Sequence, residues 1–105
     1  VEFSVPPRDR VYASWYGPRF HGKRMANGRR FNQWDIRHAA HPYLPLGTEL
    51  RITSEETGKS VRVEVTDRGP CISPRRLDLS RAAASKLGVL ELGVARVEIE
   101  ILKLG

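Results

Sequence analysis

The stretch Val61–Pro70, Val-Arg-Val-Glu-Val-Thr-Asp-Arg-Gly-Pro, carries the clearest strand pattern in the chain. Val61, Val63 and Val65 alternate with the polar residues Arg62, Glu64 and Thr66, which is typical of a half-buried β-strand with its polar side chains facing outward. Asp67 has the same parity as the valines, so its side chain is predicted to project toward the core side. Gly69 and Pro70 then end the strand.

Two interpretations of Asp67 follow from this position. A carboxylate at the inner end of a strand can be partly desolvated and still reachable. Desolvation raises the pKa of a carboxyl group, which suits a general acid. The same residue can instead cap a turn through its own backbone, and the spacing alone favours that simpler role.

Length and composition predict one small, folded domain. The chain has 105 residues, of which 40% are apolar, and its charged residues have mixed signs. The net charge is +6, and 14 of the 18 basic residues are arginine. Because arginine offers a planar fork to carboxylates and phosphates, an anionic partner is indicated: nucleic acid, an acidic membrane surface or an acidic glycan.

Two classes of feature are expected to be absent. Cys71 is the single cysteine, so an internal disulfide is excluded. No apolar run approaches the roughly 18 residues of a membrane helix, so no membrane span is predicted. Residues Val1–Pro7 have no apolar signal-peptide core, and a trimmed mature protein would look the same.

The periodicity predicts about six short strands, one helix and one long loop, an arrangement that fits a small β-barrel. A helix is expected over Arg81–Leu87, between Ser80 as N-cap and Gly88. A glycine-punctuated loop covers Arg19–Phe31. The remaining elements are an arm or strand over Val1–Asp9 and strands over Arg10–Tyr16, Thr48–Thr53, Arg76–Leu79, Ala95–Leu102 and the stretch from Val61.

Aromatic and histidine side chains offer further candidate sites. His38 and His41 have a spacing that could present two zinc ligands from one helical face. No third ligand follows nearby and Pro42 disfavours helix at His41, so we predict no metal and a pocket or turn role for His41. Five aromatic residues lie among arginines and could stack on bases or sugar faces, or could pin the long loop to a barrel: Trp15, Tyr16, Phe20, Phe31 and Trp34.

Several short motifs together resemble the RlpA (rare lipoprotein A) family. The match runs from about Tyr12 to Leu102, with the motifs in the family's order and spacing. They are Ala13-Ser-Trp-Tyr-Gly-Pro18, Phe20-His-Gly22, Ala26-Asn-Gly28, Ala39-Ala-His41, Leu44-Pro-Leu-Gly47, Asp67-Arg-Gly-Pro70, Leu77-Asp-Leu-Ser80 and Gly93-Val-Ala-Arg96.

This resemblance implies an all-β fold, a six-stranded double-psi β-barrel similar to that of expansins. It also implies a lytic transglycosylase that cuts peptidoglycan glycan strands freed of peptides, without a cofactor. We expect a monomer in the periplasm or cell envelope, with a longer precursor that could be lipid-anchored, and no nucleic-acid partner.

The resemblance further assigns roles to individual residues. The family's catalytic aspartate falls on Asp67, the histidine of its Ala-Ala-His motif on His41, and the aspartate of its Asp-Leu-Ser motif on Asp78. We predict all three as catalytic residues. We expect Arg68 to turn outward toward substrate. The residues predicted to bind the strand are Tyr16, Phe20, Arg24, Arg29, Arg68 and Arg76, with the arginines attracting the lactyl carboxylates of muramic residues.

Three departures from the family pattern qualify these roles. After Ala-Asn-Gly the family usually has a functional glutamate, and here Arg29 stands in its place. Cys71 replaces a frequent aromatic residue, and an N-terminal lipobox cysteine is missing. Two further hypotheses stay open. Arg29 supports a glycan-binding module without catalysis. The high pI and the arginine and aromatic content support a nucleic-acid-binding barrel with steeply salt-dependent affinity.

Overall fold

Six strands close into a barrel in the computed structural model, which describes residues 8–16, 18–70 and 75–105. Around the barrel their order is β1, β5, β2, β4, β3, β6, with β1/β5 and β2/β4 parallel and the other pairs antiparallel. The predicted six-stranded barrel with one short helix is confirmed. The strands are β1 Arg8–Trp15, β2 His38–Ala40, β3 Glu49–Ser54, β4 Ser60–Asp67, β5 Arg75–Leu79 and β6 Ala95–Lys103.

The valines of β4 face the core as predicted, but the alternation fails at its end. Val61, Val63 and Val65 are buried, and so is Thr66, which we expected to face outward. The pairing of β2 with β4 shifts register between Ala39 and Ala40, so Thr66 is left without a partner across the strands. Its hydroxyl instead donates to the Ala39 carbonyl at 3.2 Å, which satisfies a buried polar group.

The helix α1, Arg81–Leu87, has the predicted bounds and caps. The Ser80 hydroxyl accepts the Ala83 N–H at 3.1 Å, and Gly88 ends the helix in the left-handed conformation at φ 75°. Its buried face, formed by alanines and Leu87, packs on the barrel. Each end therefore follows from a single side-chain choice in the sequence.

The strand β2 is absent from the predicted elements, because the sequence patterns assign no strand to Asp35–His41. Its Ala39 and Ala40 have little preference for strands, and the segment is extended because it lies between β4 and β5. Of the arm or strand predicted over Val1–Asp9, Arg8 and Asp9 belong to β1, and Val1–Pro7 lie outside the described residues.

The predicted long loop is present, but its centre is a tight hairpin over residues 22–31, which we term the Met25 hairpin. Backbone hydrogen bonds join Gly22 N–H to the Phe31 carbonyl at 2.8 Å and Met25 N–H to the Arg29 carbonyl at 2.7 Å. Met25 and Phe31 are each only 3% exposed, so apolar packing holds the hairpin against the barrel.

No helix among the described residues has the length and apolar character needed to cross a lipid bilayer.

Candidate active site

Two aspartates flank a single alanine in the sheet. Ala40 of β2 pairs with Asp67 of β4 on one side and with Asp78 of β5 on the other, and Ser14 of β1 pairs with Asp78. Neighbouring strands lie about 4.8 Å apart, so the two aspartate Cα atoms are about 10 Å apart. Ala40 itself is fully buried and packs with Tyr16.

Three donors fix the Asp67 carboxylate. Its Oδ1 accepts the backbone N–H groups of Ala26 and Arg68, each at 2.8 Å, and its Oδ2 accepts the Tyr16 hydroxyl at 2.9 Å. The side chain is half-buried. The carboxylate is therefore held in one orientation and still borders solvent, as a group that exchanges protons with a substrate must be.

The Tyr16 side chain connects the two carboxylates electrostatically. Burial raises the pKa of the Tyr16 phenol far above its usual range, and the charge of Asp67, its hydrogen bond to Asp67 and the charge of Asp78 act in the same direction. Tyr16 thus stays protonated and serves as a donor. We predicted Tyr16 as a strand-binding residue, and its observed contact is with Asp67.

The Met25 hairpin supplies one wall of the site. Met25, Phe31, Tyr16 and Ala40 form a small apolar cluster separate from the main barrel core. The Tyr16 and Phe31 ring centroids are 4.3 Å apart. This packing sets the hairpin tip so that the Ala26 N–H points at Asp67.

Asp78 is also half-buried and accepts a hydrogen bond from the Ser14 hydroxyl. Ser14 is buried in the neighbouring strand, so this contact crosses from β1 to β5. It fixes a second carboxyl group beside the first, in a different hydrogen-bonding environment.

His41 has the turn role that was one of its two predicted roles. The residue is 3% exposed, and its Nδ1 accepts the N–H groups of Tyr43 and Leu44, each at 3.2 Å. Two donors at Nδ1 assign the ring proton to Nε2. The His41 N–H also donates to the Asp67 carbonyl at 3.2 Å, so the histidine ties the following turn to the end of β4. A direct catalytic role for His41 stays a prediction.

Arg68 is exposed, and its expected turn toward substrate stays a prediction. Its Nη1 donates to the carbonyls of Leu44 at 2.6 Å and His41 at 3.3 Å, so the guanidinium stabilises the same turn. The reason is that these carbonyls lie beside the end of β4 and need donors. Arg24 is also engaged, since its Nη1 donates to the Gly28 carbonyl within the hairpin at 2.9 Å.

The other predicted binding residues lie in separate places. Phe20 is 40% exposed, and its ring centroid lies 5.6 Å from that of Tyr16, so it offers an aromatic face beside the site. Arg29 lines a pocket of about 300 Å³ that also contacts Thr66. Arg76 belongs to β5, but its side chain lies outside the described part of the structure, as does Cys71.

His38 and Asp35 form a polar pair that the sequence patterns did not single out as a pair. His38 Nε2 lies 3.4 Å from Asp35 Oδ2, and His38 Nδ1 accepts the Asn32 N–H. Burial lowers the pKa of His38 against the opposing charge of Asp35. Burial would raise the pKa of Asp35, but hydrogen bonds from Arg37 and the His38 and Arg37 charges hold it below its usual range.

Residues 8–99 match the family model described as "Lytic transglycolase". The chain is 50% identical over 100 residues to a probable endolytic peptidoglycan transglycosylase RlpA of Aquifex aeolicus, covering 95% of this chain and 44% of that protein. It is 52% identical over 88 residues to the endolytic peptidoglycan transglycosylase RlpA of Pseudomonas aeruginosa strain UCBPP-PA14, covering 84% and 26%. The chain thus spans less than half the length of these relatives.

Solved structures share the fold at low sequence identity. Streptomyces papain inhibitor superposes with a TM-score of 0.76 at 21% identity, covering 97% of this chain and 100% of that one. A mutant Clavibacter michiganensis expansin in complex with cellohexaose gives a TM-score of 0.68 at 19% identity, covering 91% and 50%. These neighbours support the double-psi β-barrel assignment. With the family match and the relatives at about half identity, the chain belongs to the RlpA family of double-psi β-barrel proteins.

Proposed function

We propose that this chain is a lytic transglycosylase that cuts peptidoglycan glycan strands without water and leaves 1,6-anhydro-muramic ends. The observation that carries this is the Asp67 carboxylate, held by three donors at the solvent boundary with Asp78 on the other side of Ala40. The names of the relatives support the same reaction and substrate.

One carboxyl group is enough for this chemistry. Asp67 in its protonated form gives its proton to the glycosidic oxygen as the bond from that oxygen to C1 breaks. The 6-hydroxyl of the same muramic ring then bonds to C1, and its proton passes to the Asp67 carboxylate. Asp67 ends as it began, so no water or second nucleophile is consumed, unlike in the two-carboxylate hydrolases.

The neighbouring groups take supporting roles in this scheme. Tyr16 donates to Oδ2 and so orients the Asp67 carboxylate relative to the sugar. Asp78 places negative charge on the other side of Ala40, where it favours the positively charged sugar ring of the transition state. Phe20 offers an exposed ring on which a sugar face can stack.

Arg29 in place of the family's usual glutamate sets the expected level of activity. In this scheme the acid–base work belongs to Asp67, so the chain retains the reaction, at a lower rate than a member with glutamate. Peptidoglycan as substrate places the protein in the bacterial envelope, and we expect the periplasm. Since one chain carries all of the proposed residues, a monomer suffices.

The test is digestion of purified, peptide-free glycan strands in water enriched in oxygen-18, followed by mass spectrometry. We expect anhydro ends without incorporated oxygen-18. Reducing ends that carry the label would show hydrolysis and would contradict the transglycosylase mechanism.

The alternative function is binding of glycan strands without cleavage, favoured by the fixed positive charge at Arg29. It predicts that immobilised strands capture the chain and that prolonged incubation releases no anhydro product. Product formation that depends on Asp67 would exclude this alternative.

A further inference from the structure

A second polar pocket lies beside β4, next to the strand end that carries Asp67. Its volume is about 300 Å³, and Thr66, the residue before Asp67, is part of its lining. The Asn27 N–H donates to the Thr66 carbonyl at 3.1 Å, so the tip of the Met25 hairpin joins this pocket to the candidate active site.

The pocket has a small excess of positive charge. Its lining includes three guanidinium groups, from Arg29, Arg30 and Arg37, and two carboxylates, from Asp35 and Glu64. With His38 neutral, because burial lowers its pKa, the ionised groups leave one net positive charge. A monoanion would balance this charge.

Asp35 and Arg37 are already engaged with each other. The Arg37 Nε donates to Asp35 Oδ1 at 3.4 Å, and Asp35 Oδ2 faces His38 Nε2 at the same distance. Arg30 is held by the Gly22 carbonyl through one nitrogen, at 3.0 Å. These contacts order the base of the pocket.

Arg29 is the group in position to bind a ligand. Its side chain is exposed, and within the described part of the chain its guanidinium has neither a hydrogen bond nor an ion pair. Arg24 and Arg68, by contrast, use their guanidinium groups on backbone carbonyls. A planar, exposed guanidinium that lines a polar pocket fits a carboxylate through two parallel hydrogen bonds.

We propose that the pocket of Arg29, Arg30 and Arg37 is a subsite for a carboxylate carried by the glycan strand. The proposal rests on the proposed function, because it requires that a strand bound over Asp67 extends past Thr66. The lactyl group of a peptide-free muramic residue supplies one such carboxylate, and the stem peptide supplies others. The single excess charge favours a carboxylate over a phosphate dianion.

The experiment measures binding, not cleavage, in an Asp67→Asn chain that leaves the strand intact. Three ligands are compared by calorimetry at low salt: peptide-free strand fragments, the same fragments with methyl-esterified lactyl groups, and fragments that keep their stem peptides. Each ligand is measured against the Asp67→Asn chain and against the same chain with Arg29→Gln as a second substitution. The control chain of equal charge carries Arg8→Gln instead, which removes an exposed arginine of β1.

We expect the esterified fragments to bind about tenfold more weakly than the free carboxylate form. With Arg29→Gln, the affinities for the free and esterified fragments should lie within about twofold of each other. With Arg8→Gln, the roughly tenfold difference in affinity should remain. If peptide-bearing fragments bind as tightly as peptide-free ones, and also lose affinity with Arg29→Gln, the stem is a second source of the carboxylate.

Equal binding of free and esterified fragments by the chain with Arg29 would overturn the subsite. A preference that survives Arg29→Gln would do the same. Neither result depends on cleavage. If the chain with Asp67 cuts strands but shows no preference for the free carboxylate over the ester, only the subsite is contradicted. If the chain shows that preference but forms no anhydro ends, only the proposed function is contradicted.

Discussion

At the scale of single residues, the defining feature is a carboxylate with an assigned donor for each oxygen. Asp67 receives two backbone N–H groups on Oδ1 and the Tyr16 hydroxyl on Oδ2. The two backbone donors persist in every substitution except one to proline, whereas Tyr16→Phe removes the tyrosine donor. A substitution at Tyr16 therefore tests the effect of the orientation of Asp67 while the carboxylate itself is kept.

Tyr16→Phe should lower kcat roughly tenfold or more and leave KM nearly unchanged. The substitution removes one hydrogen bond to a charged group, of the order of 1.5–3 kcal/mol, and keeps the ring that packs on Phe31. Steady-state kinetics on peptide-free strands would show this split. If Tyr16→Phe and Phe20→Leu instead raise KM to the same extent and leave kcat unchanged, Tyr16 acts in strand binding.

Arg29→Glu should raise kcat several-fold, since it restores the carboxylate that the family usually has after Ala-Asn-Gly. The residue is exposed, so the substitution should change the free energy of unfolding by about 0.5 kcal/mol or less. Arg29→Gln is the matched control because it removes the cation without adding a carboxylate. Unchanged or lower turnover in Arg29→Glu would show that this chain does not use the glutamate.

The sequence predicts Asp67 and Asp78 as candidate site residues, but it does not predict the groups that surround them. The parity of β4 predicted an inward Asp67, and the motif raised it from a turn cap to a catalytic candidate. The parity also predicted an exposed Thr66, which is wrong because the pairing with β2 shifts register there. Hydrogen bonds such as that from Tyr16, 51 positions away, depend on how the barrel closes and leave no local pattern.

At the scale of elements, the Met25 hairpin acts as a positioning element for the site. Two buried side chains, Met25 and Phe31, anchor it, and the intervening tip presents the Ala26 N–H to Asp67. Stability and activity are therefore coupled through the packing of a loop that carries no reacting group.

Met25→Ala should lower the free energy of unfolding by about 2–4 kcal/mol, because it leaves a cavity under the hairpin. It should also lower kcat by more than tenfold at temperatures where the chain is still folded, since the Ala26 donor shifts away from Asp67. Urea unfolding and strand digestion measure the two effects.

Ser80→Ala provides the comparison, since it removes the N-cap of α1 at a cost of about 1 kcal/mol without touching the hairpin. We expect it to keep wild-type turnover. Wild-type turnover in folded Met25→Ala would contradict the positioning role of the hairpin.

Elements with local signals were predictable and those without were not. Ser80 and Gly88 mark both ends of α1, and the alternation of β6 marks a long strand. The strand β2 has only three residues and two of them are alanine, so its conformation is set by its neighbours β4 and β5. The hairpin fold of the long loop likewise depends on burial of Met25, which no periodicity reveals.

At the scale of the whole molecule, the closed barrel holds the half-buried, neutral His38 beside the charged carboxylate of Asp35. Both pKa values, of His38 and of Asp35, lie below their usual ranges in the folded chain. The charged groups that act on His38 are Asp35 and Glu64, which raise its pKa, and Arg37 and Arg29, which lower it, with burial as the largest influence. Acid should therefore weaken the fold at this point.

We expect the free energy of unfolding to fall as the pH decreases through 6.5, the ordinary pKa of histidine, toward the lowered value in the fold. Between these two pKa values the His38 side chain binds a proton in the unfolded chain but not in the folded chain. A second loss follows below pH 3.8, where the unfolded form of Asp35 takes up a proton first. Urea unfolding at pH 7.5, 6.0 and 5.0 measures the first slope.

His38→Asn keeps an acceptor near the Asn32 N–H and removes the titrating ring, so it should flatten the slope between pH 7.5 and 5.0. A slope of the same size in this variant would show that other groups cause the acid sensitivity.

The barrel as a whole could be predicted from strand count and motif order, since six short strands with polar turns have few ways to hide their edges. The order of strands around the barrel, with parallel pairs β1/β5 and β2/β4, could not. That order depends on contacts between distant segments, and it is what brings Ser14, Ala40, Asp67 and Asp78 into one row.

The most direct test of the central claim is the rate at which Asp67→Asn forms anhydro ends on peptide-free strands, relative to wild type. Asparagine keeps the shape of the side chain but cannot exchange a proton with the substrate. We predict that the rate falls at least a hundredfold while strand binding and the unfolding midpoint stay close to wild type. Anhydro ends formed at the wild-type rate by Asp67→Asn would contradict the assignment of Asp67 and the mechanism built on it.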